Sequence, residues 1–351
     1  MKFLMFKFSL FVALTFNFVI NSSAQTYFQE RLPKEIFDVE EPSSRVNGVP
    51  GSMIYKTRDC RAIPVTNLRK RIVNTAIQEW SYFGLSVYDL THTRDDNPNY
   101  KRQPWRRPII DSAEAQRVAG SIAGYWSSTP DSSWILERQN ESWTSFGHGS
   151  RWRNPWSAAF ISWVMCESGL AEYHRFRRAV AHYSYIDQAI MSKDDAESTS
   201  AYIAFDIGEQ PIQPGDLLCR GSRPEYRSIA ARRVQIGVGA RTHCDIVVKL
   251  DAANNRIMLI GGNVRAWVRL KLLPADVNDE GLLTPLPYNG RIIFAHLKLK
   301  ADAVSNNVFE ESPSVQQLLC SGYEANLKGV INSDLAICPE QLVDQRIVNF
   351  L

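Results

Sequence analysis

The stretch Cys244-Asp-Ile-Val-Val-Lys-Leu-Asp-Ala-Ala-Asn-Asn-Arg-Ile-Met-Leu-Ile-Gly-Gly-Asn-Val-Arg-Ala-Trp-Val-Arg-Leu-Lys-Leu272 decides the fold class. It holds three short apolar β segments, 244–250, 256–260 and 264–272. Turn-prone residues divide them: Asp251 to Asn255, then Gly261-Gly262. Two further segments flank this meander, Asp216 to Cys219 after the turn pair Pro214-Gly215, and Ile292 to Leu297. Upstream the period changes. Leu68, Ile72, Ala76 and Trp80, with Val73 and Ile77, recur at helical spacing, with Asn67 placed to cap the start and Gly84 to close the end. Ala113 to Trp126, Trp156 to Cys166 and Arg175 to Met191 read as three more helices. Helices first and strands second predict an α+β domain.

The chain of 351 residues is long enough for one large domain or two modest ones. Its first residues, Met-Lys-Phe-Leu-Met-Phe-Lys, lead into an apolar run from Phe8 to Ile20 and a small-residue end at Ala24. A basic start, about a dozen apolar residues and small residues before Gln25 describe a secretory signal peptide, residues 1–24. That run falls short of the roughly 20 residues a membrane span needs. A periplasmic or secreted protein is therefore expected. Residues 25–66 read as an extended arm, 67–300 as the main domain and 301–351 as a helical appendage. The formal charge of +3 includes Lys2 and Lys7 of the leader, so it gives no argument for a nucleic-acid partner. The polar stretch Thr91 to Arg107 reads as a loop. Of six cysteines, Cys320 and Cys338 bracket a short tail segment and are expected to pair; Cys60, Cys166, Cys219 and Cys244 permit several pairings, or none.

Two regions could carry chemistry. Ser157 follows Asn154-Pro155-Trp156 at a helix start, where unpaired N–H groups and the positive end of the dipole favour developing negative charge. A plain capping serine would sit in the same place. His243 and Asp245 lie two residues apart on a strand and so share a face, with Cys244 on the other. An imidazole with a carboxylate beside it suits a base and its orienter. Asn263, after Ile260-Gly-Gly, offers a second orienter. A solvent-facing pair and a turn asparagine are the plainer alternative. Trp105, Trp126, Trp143, Trp152 and Trp156 could line a glycan groove or form an aromatic core. His182 is read as a packing or hydrogen-bonding residue, and His296 has no partner in view. No metal-ligand spacing and no phosphate-binding glycine loop is found, so neither metal nor cofactor is implied.

The runs Trp156-Ser-Ala-Ala-Phe-Ile-Ser-Trp-Val-Met, Pro-Gly-Asp-Leu-Leu-Cys219 and Thr-His-Cys-Asp-Ile-Val-Val resemble a bacterial family, domain of unknown function 2272. The resemblance takes in Ile72 to Gly84, Tyr125-Trp126 and His182-Tyr-Ser-Tyr-Ile, and extends from Leu68 to about Lys300. That family in turn resembles the NlpC-type and CHAP-type (cysteine, histidine-dependent amidohydrolase/peptidase) cell-wall hydrolases. Their Cys-Ser-Gly-Phe helix start corresponds to Ser157-Ala-Ala-Phe160, their Gly-Asp-Leu strand to Gly215-Asp216-Leu217, and their strand-opening histidine to His243. The polar residue after the next strand corresponds to Asn263. The resemblance implies a papain-like α+β fold of helices packed on an antiparallel sheet. It implies a hydrolase of amide bonds in peptidoglycan or a related envelope peptide, with Ser157 as nucleophile, His243 as base and Asn263 or Asp245 as orienter. Trp156 and Asp216 are the expected substrate-binding positions. The departure is serine where those enzymes carry cysteine; a hydroxyl needs concerted proton removal, whereas a thiol ionises readily. The rival expectation is a catalytically inactive papain-like module that binds wall peptides or a partner protein.

Overall fold

The computed structural model describes residues 30–64, 66–92, 110–150, 152–221, 226–322, 327 and 329–338. The expected signal peptide, residues 1–24, and nearly all of the 91–107 stretch lie outside them. In chain order, a two-residue hairpin, β1 (Val46–Asn47) and β2 (Ile54–Tyr55), precedes α1 (Leu68–Tyr82) and β3 (Val87–Asp89). A helical run follows: α2 (Ser112–Arg117), α3 (Ala119–Ser127), α4 (Ser133–Phe146), α5 (Ser157–Glu167) and α6 (Tyr183–Asp194). Then come β4 (Tyr202–Phe205), β5 (Leu217–Gly221), α7 (Ile229–Arg233), β6 (Thr242–Asp251), β7 (Arg256–Val264), β8 (Trp267–Val277), β9 (Leu283–Pro285), β10 (Ile293–Leu299) and α8 (Pro313–Ser321). The main sheet runs β3-β8-β7-β6-β5-β10-β4, with β9 added on β8. Every pairing is antiparallel except β3 with β8. The fold is α+β.

Period-two alternation divides this sheet into two chemically distinct faces. Cys219, Cys244, Ile246, Val248, Met258, Ile260 and Leu270 join the helices in the main core. Leu218, Val247, Ile257, Leu259 and Leu273 form a separate, smaller core on the opposite face. At the centre of the main core lies α5, buried at every position from Ser157 to Glu167, as a helix with little polar surface must be. Burying Phe160 or Trp163 fully contributes about 1.5–3 kcal/mol each. Close approach of α5 to the sheet depends on Gly262, where a Cβ would stand 2.5 Å from the Cβ of Phe160.

The 30–64 segment is fastened to the helical layer. Leu32, Phe37 and Val39 enter the main core, Arg31 forms an ion pair with the buried Glu79 at 2.6 Å, and Cys60 is disulfide-bonded to Cys166. Cys219 pairs with Cys244 across β5 and β6, and Cys320 pairs with Cys338 as expected from their spacing. Three disulfides are consistent with an oxidising, extracytoplasmic setting. Among the described residues, no helix is long and apolar enough to cross a membrane.

Several elements differ from their sequence reading. Asn67 does not cap α1 through its side chain; it takes a left-handed conformation at φ 55°. The 113–126 helix is interrupted at Val118, whose ψ of 0° ends α2 before α3 begins. Helix α4 is missing from the sequence reading because its buried stripe, Ile135, Leu136, Gln139, Ser142 and Trp143, is partly polar. Helix α6 starts at Tyr183 rather than Arg175.

Candidate functional site

Two helix starts meet beside the beginning of β6, a central strand of the sheet. Ser157 is the first residue of α5, and His182 stands immediately before α6. Ser157 Oγ lies 2.7 Å from His182 Nε2, and both residues are buried, at 9% and 4% exposure. The other ring nitrogen, Nδ1, accepts the backbone N–H of Cys244 at 3.2 Å and contacts the Tyr185 hydroxyl. A serine, an imidazole and a phenol thus form a buried chain, joined to strand β6 by one backbone donor.

That backbone donor fixes the ring. An amide N–H only donates, so Nδ1 must hold the lone pair and the neutral ring carries its proton on Nε2. The Nε2–H therefore donates to Ser157 Oγ. Burial, with the nearby His243 adding to it, keeps the His182 pKa well below the ordinary histidine value, so the ring is neutral at pH 7. The tyrosine hydroxyl is held protonated, its pKa raised by burial and by Asp245.

The sequence expectation placed His243 opposite Ser157. Instead, the hydroxyl's imidazole partner is His182. Alternation accounts for it: Cys244 faces α5 and is covalently tied to Cys219, so His243 and Asp245 belong to the other face. His243 still comes close at the strand's beginning, its ring centroid 5.0 Å from that of His182. His243 Nε2 hydrogen-bonds Asp245 Oδ1 at 2.9 Å, and Lys271 Nζ pairs with Asp245 Oδ2. Asp245 is thus the orienting partner. Among the described residues, Asn263 makes no hydrogen bond to the ring; it occupies the irregular end of β7 at φ 54°. Burial pushes His243 down to about 4 against the pull of Asp245. Burial alone would raise the Asp245 carboxyl, but His243 and Lys271 together hold it well below the usual carboxylate range.

The two expected substrate-binding residues are structural. Trp156 is fully buried, stacked 5.8 Å from Tyr125 and 5.9 Å from Phe83, so it lines no groove. Asp216 is also fully buried and receives Arg69 Nη1 at 2.7 Å, the Leu299 N–H at 2.9 Å and His296 Nε2 at 2.8 Å. This network locks β5 and β10 to α1 and gives His296 the partner that sequence did not reveal. A substrate would meet no free carboxylate there. Trp126 and Trp143 are likewise core, while Trp105 lies outside the described residues. No cluster of three potential metal ligands occurs among the described residues.

His182, the imidazole partner of Ser157, carries only a weak signal in the sequence. Its sequence signal was the helix start His182-Tyr-Ser-Tyr185, in which a histidine and a tyrosine three apart can touch on one helix face.

Residues 112–322 match the model of the family described as "Uncharacterized protein conserved in bacteria (DUF2272)". The chain belongs to this family. The matched segment begins at α2 and ends just after α8, so it holds Ser157, His182, His243, Asp245 and Lys271 within one family unit. No curated protein and no solved structure matches the chain.

Proposed function

We propose that this family member is an exported hydrolase of amide bonds in peptidoglycan or a related envelope peptide, built on a papain-like layering of helices over an antiparallel sheet. One observation carries the reading: a serine hydroxyl at the first turn of a buried helix, hydrogen-bonded at 2.7 Å to a neutral imidazole. The helix start favours an alkoxide or an oxyanion near Ser157. Taking the serine proton requires the lone pair on His182 Nε2. Tyr185 can accommodate that tautomer because its hydroxyl accepts a hydrogen bond as readily as it donates one. His243, oriented by Asp245, supplies a second neutral imidazole, its ring 5.0 Å from that of His182, for later proton movements. The three disulfides support export.

A second reading, an inactive module that binds wall peptides, is favoured by the Cys244 N–H. In the resting ring it directs the Nε2 proton toward the serine, which holds the hydroxyl without activating it. Incubating the purified mature chain with peptidoglycan and analysing soluble fragments by mass spectrometry tests the two. Fragments released by the wild type and lost in Ser157→Ala support the hydrolase. Retention on peptidoglycan without release of fragments selects the binding module.

A further inference from the structure

The sheet face turned away from α5 carries an excess of positive charge at the end where β6 begins. Arg220 is the cross-strand partner of His243, and Arg269 is the partner of Gly261. Alternation puts Arg220, His243, Asp245, Arg269 and Lys271 on this face, in line with Leu218, Val247 and Leu273 of the smaller core. Arg291 joins them from the turn Tyr288–Arg291 that leads into β10. Asp245 is the acidic residue in this group, and Lys271 and His243 already occupy its two oxygens. Nothing in the group is left to neutralise Arg220, Arg269 and Arg291.

Their hydrogen bonding is also incomplete. Among the described residues, the Nε of Arg220 and of Arg269 are buried without an acceptor, and the Arg220 fork makes one hydrogen bond, a long one of 3.5 Å to the Gly221 carbonyl. Arg291 is exposed. A desolvated guanidinium with an unmet N–H is costly unless a ligand meets it. Electrostatics agree with the geometry: burial and then Arg265 push Arg269 down to about 10, and burial and then Arg220 lower Arg291. Beside Asp245, Gly261 has no side chain; a Cβ there would strike Oδ1 at 1.8 Å. The carboxylate itself fills that space, which seats Asp245 against β7 beside the residue paired with Arg269. Tyr88 and Tyr288 border the same group, Tyr88 as the cross-strand partner of Lys271.

We propose that this basic end of the sheet, with Arg220 and Arg291 as its arms, binds an oxyanion, the carboxylate or phosphate group of a ligand. Planar guanidinium forks match both groups in geometry and charge. The arms of the site, Arg220 and Arg291, are not part of the serine chain, but the two groups adjoin: the His243 ring lies 5.0 Å from that of His182.

Calorimetric titration of the folded chain with inorganic phosphate, with N-acetylglycine and with N-acetylglycinamide tests it. Binding of phosphate alone assigns a phosphate-bearing ligand, and binding of N-acetylglycine but not its amide assigns a peptide carboxylate. Either supports the site. Arg291→Gln, at an exposed position that leaves the fold intact, and Arg220→Gln are each expected to weaken binding about tenfold or more. Arg138→Gln on α4 should change nothing. The proposal is overturned if neither anion binds the wild type, if the amide binds as well as the acid, or if both arginine variants stay within about twofold of wild type.

Discussion

The hydroxyl of Ser157 is hydrogen-bonded to His182, at 2.7 Å, and not to His243. Two helices deliver this contact, each by its first turn, while strand β6 contributes only the backbone N–H of Cys244 behind the ring. The proton inventory follows from that backbone group. His182 is a donor toward the serine at rest, and any role as a base begins with a change of tautomer.

Replacing Ser157 by cysteine turns this environment into a measurable quantity. All six cysteines are paired in disulfides, so the Ser157→Cys thiol would be the single free one. The start of α5 and the His182 Nε2–H both stabilise a thiolate, so its pKa should fall below the usual value of about 8.5. Alkylation by iodoacetamide as a function of pH reads it directly. A midpoint at or above the free-thiol value would mean that the helix start and His182 do not favour an anion here.

His182 should matter to stability apart from any chemistry. His182→Phe keeps a ring of similar bulk but orphans the Ser157 hydroxyl and the Cys244 N–H in a buried setting, a loss of about 1–3 kcal/mol. Tyr185→Phe removes one contact from Nδ1 and leaves the Cys244 donor in place, so about 0.5–1.5 kcal/mol is expected. Urea unfolding of the two variants ranks them. A larger loss in Tyr185→Phe would reverse the assignment of Cys244 N–H as the ring's main anchor.

Acid should destabilise the fold through these same histidines. Both are buried neutral, with His243 depressed to about 4 and His182 well below its ordinary value. Their unfolded counterparts take up protons near pH 6.5, before the folded ones do. The unfolded state therefore binds more protons in that window, and stability present above about pH 6.5 is lost as pH falls toward 4. Asp245, whose folded pKa is also lowered, adds a further loss below the ordinary aspartate range. Melting temperature should be level from pH 8 to 7 and decline between pH 6.5 and 4.5. An unchanged melting temperature across that interval would show that neither imidazole is buried neutral.

Sequence periodicity revealed the strand meander because β6, β7 and β8 are apolar segments cut by turn residues. It revealed α1 because Leu68, Ile72, Val73, Ala76, Ile77 and Trp80 keep helical spacing although Arg69, Gln78 and Glu79 are buried among them, and α5 because its buried positions are mostly apolar or small. Helix α4 stayed hidden because Gln139 and Ser142 interrupt its buried stripe, and β3 because three residues carry no period. Alternation correctly placed His243 with Asp245 and opposite Cys244; what it could not say was which of those two faces α5 would cover. The Cys219–Cys244 disulfide and the main core lie on the Cys244 side. Ser157 accordingly meets a residue from another helix. The place of Asp216 stayed hidden for a related reason: its partners Arg69 and His296 come from distant segments that no local spacing reveals.

The successive glycines of β7 test this division of faces directly. A Cβ at Gly262 would stand 2.5 Å from the Phe160 Cβ and 2.7 Å from its Cγ, so Gly262→Ala must push α5 away from the sheet. A Cβ at Gly261 would instead meet Asp245 Oδ1 at 1.8 Å and disturb the carboxylate that holds His243 and Lys271. Both variants should lose stability, by about 1–3 kcal/mol for the overpacked helix contact and by a comparable amount for the displaced carboxylate. Their effects on Ser157 should differ. In a Ser157→Cys background, Gly262→Ala moves the helix that carries the thiol and should alter its alkylation rate severalfold. Gly261→Ala acts only indirectly, through Asp245 and the His243 ring that lies 5.0 Å from His182, and should alter that rate less than Gly262→Ala does. Equal effects on the thiol from both glycines would mean that the two faces are coupled through β7, and that the serine chain and the His243–Asp245–Lys271 group work as one site.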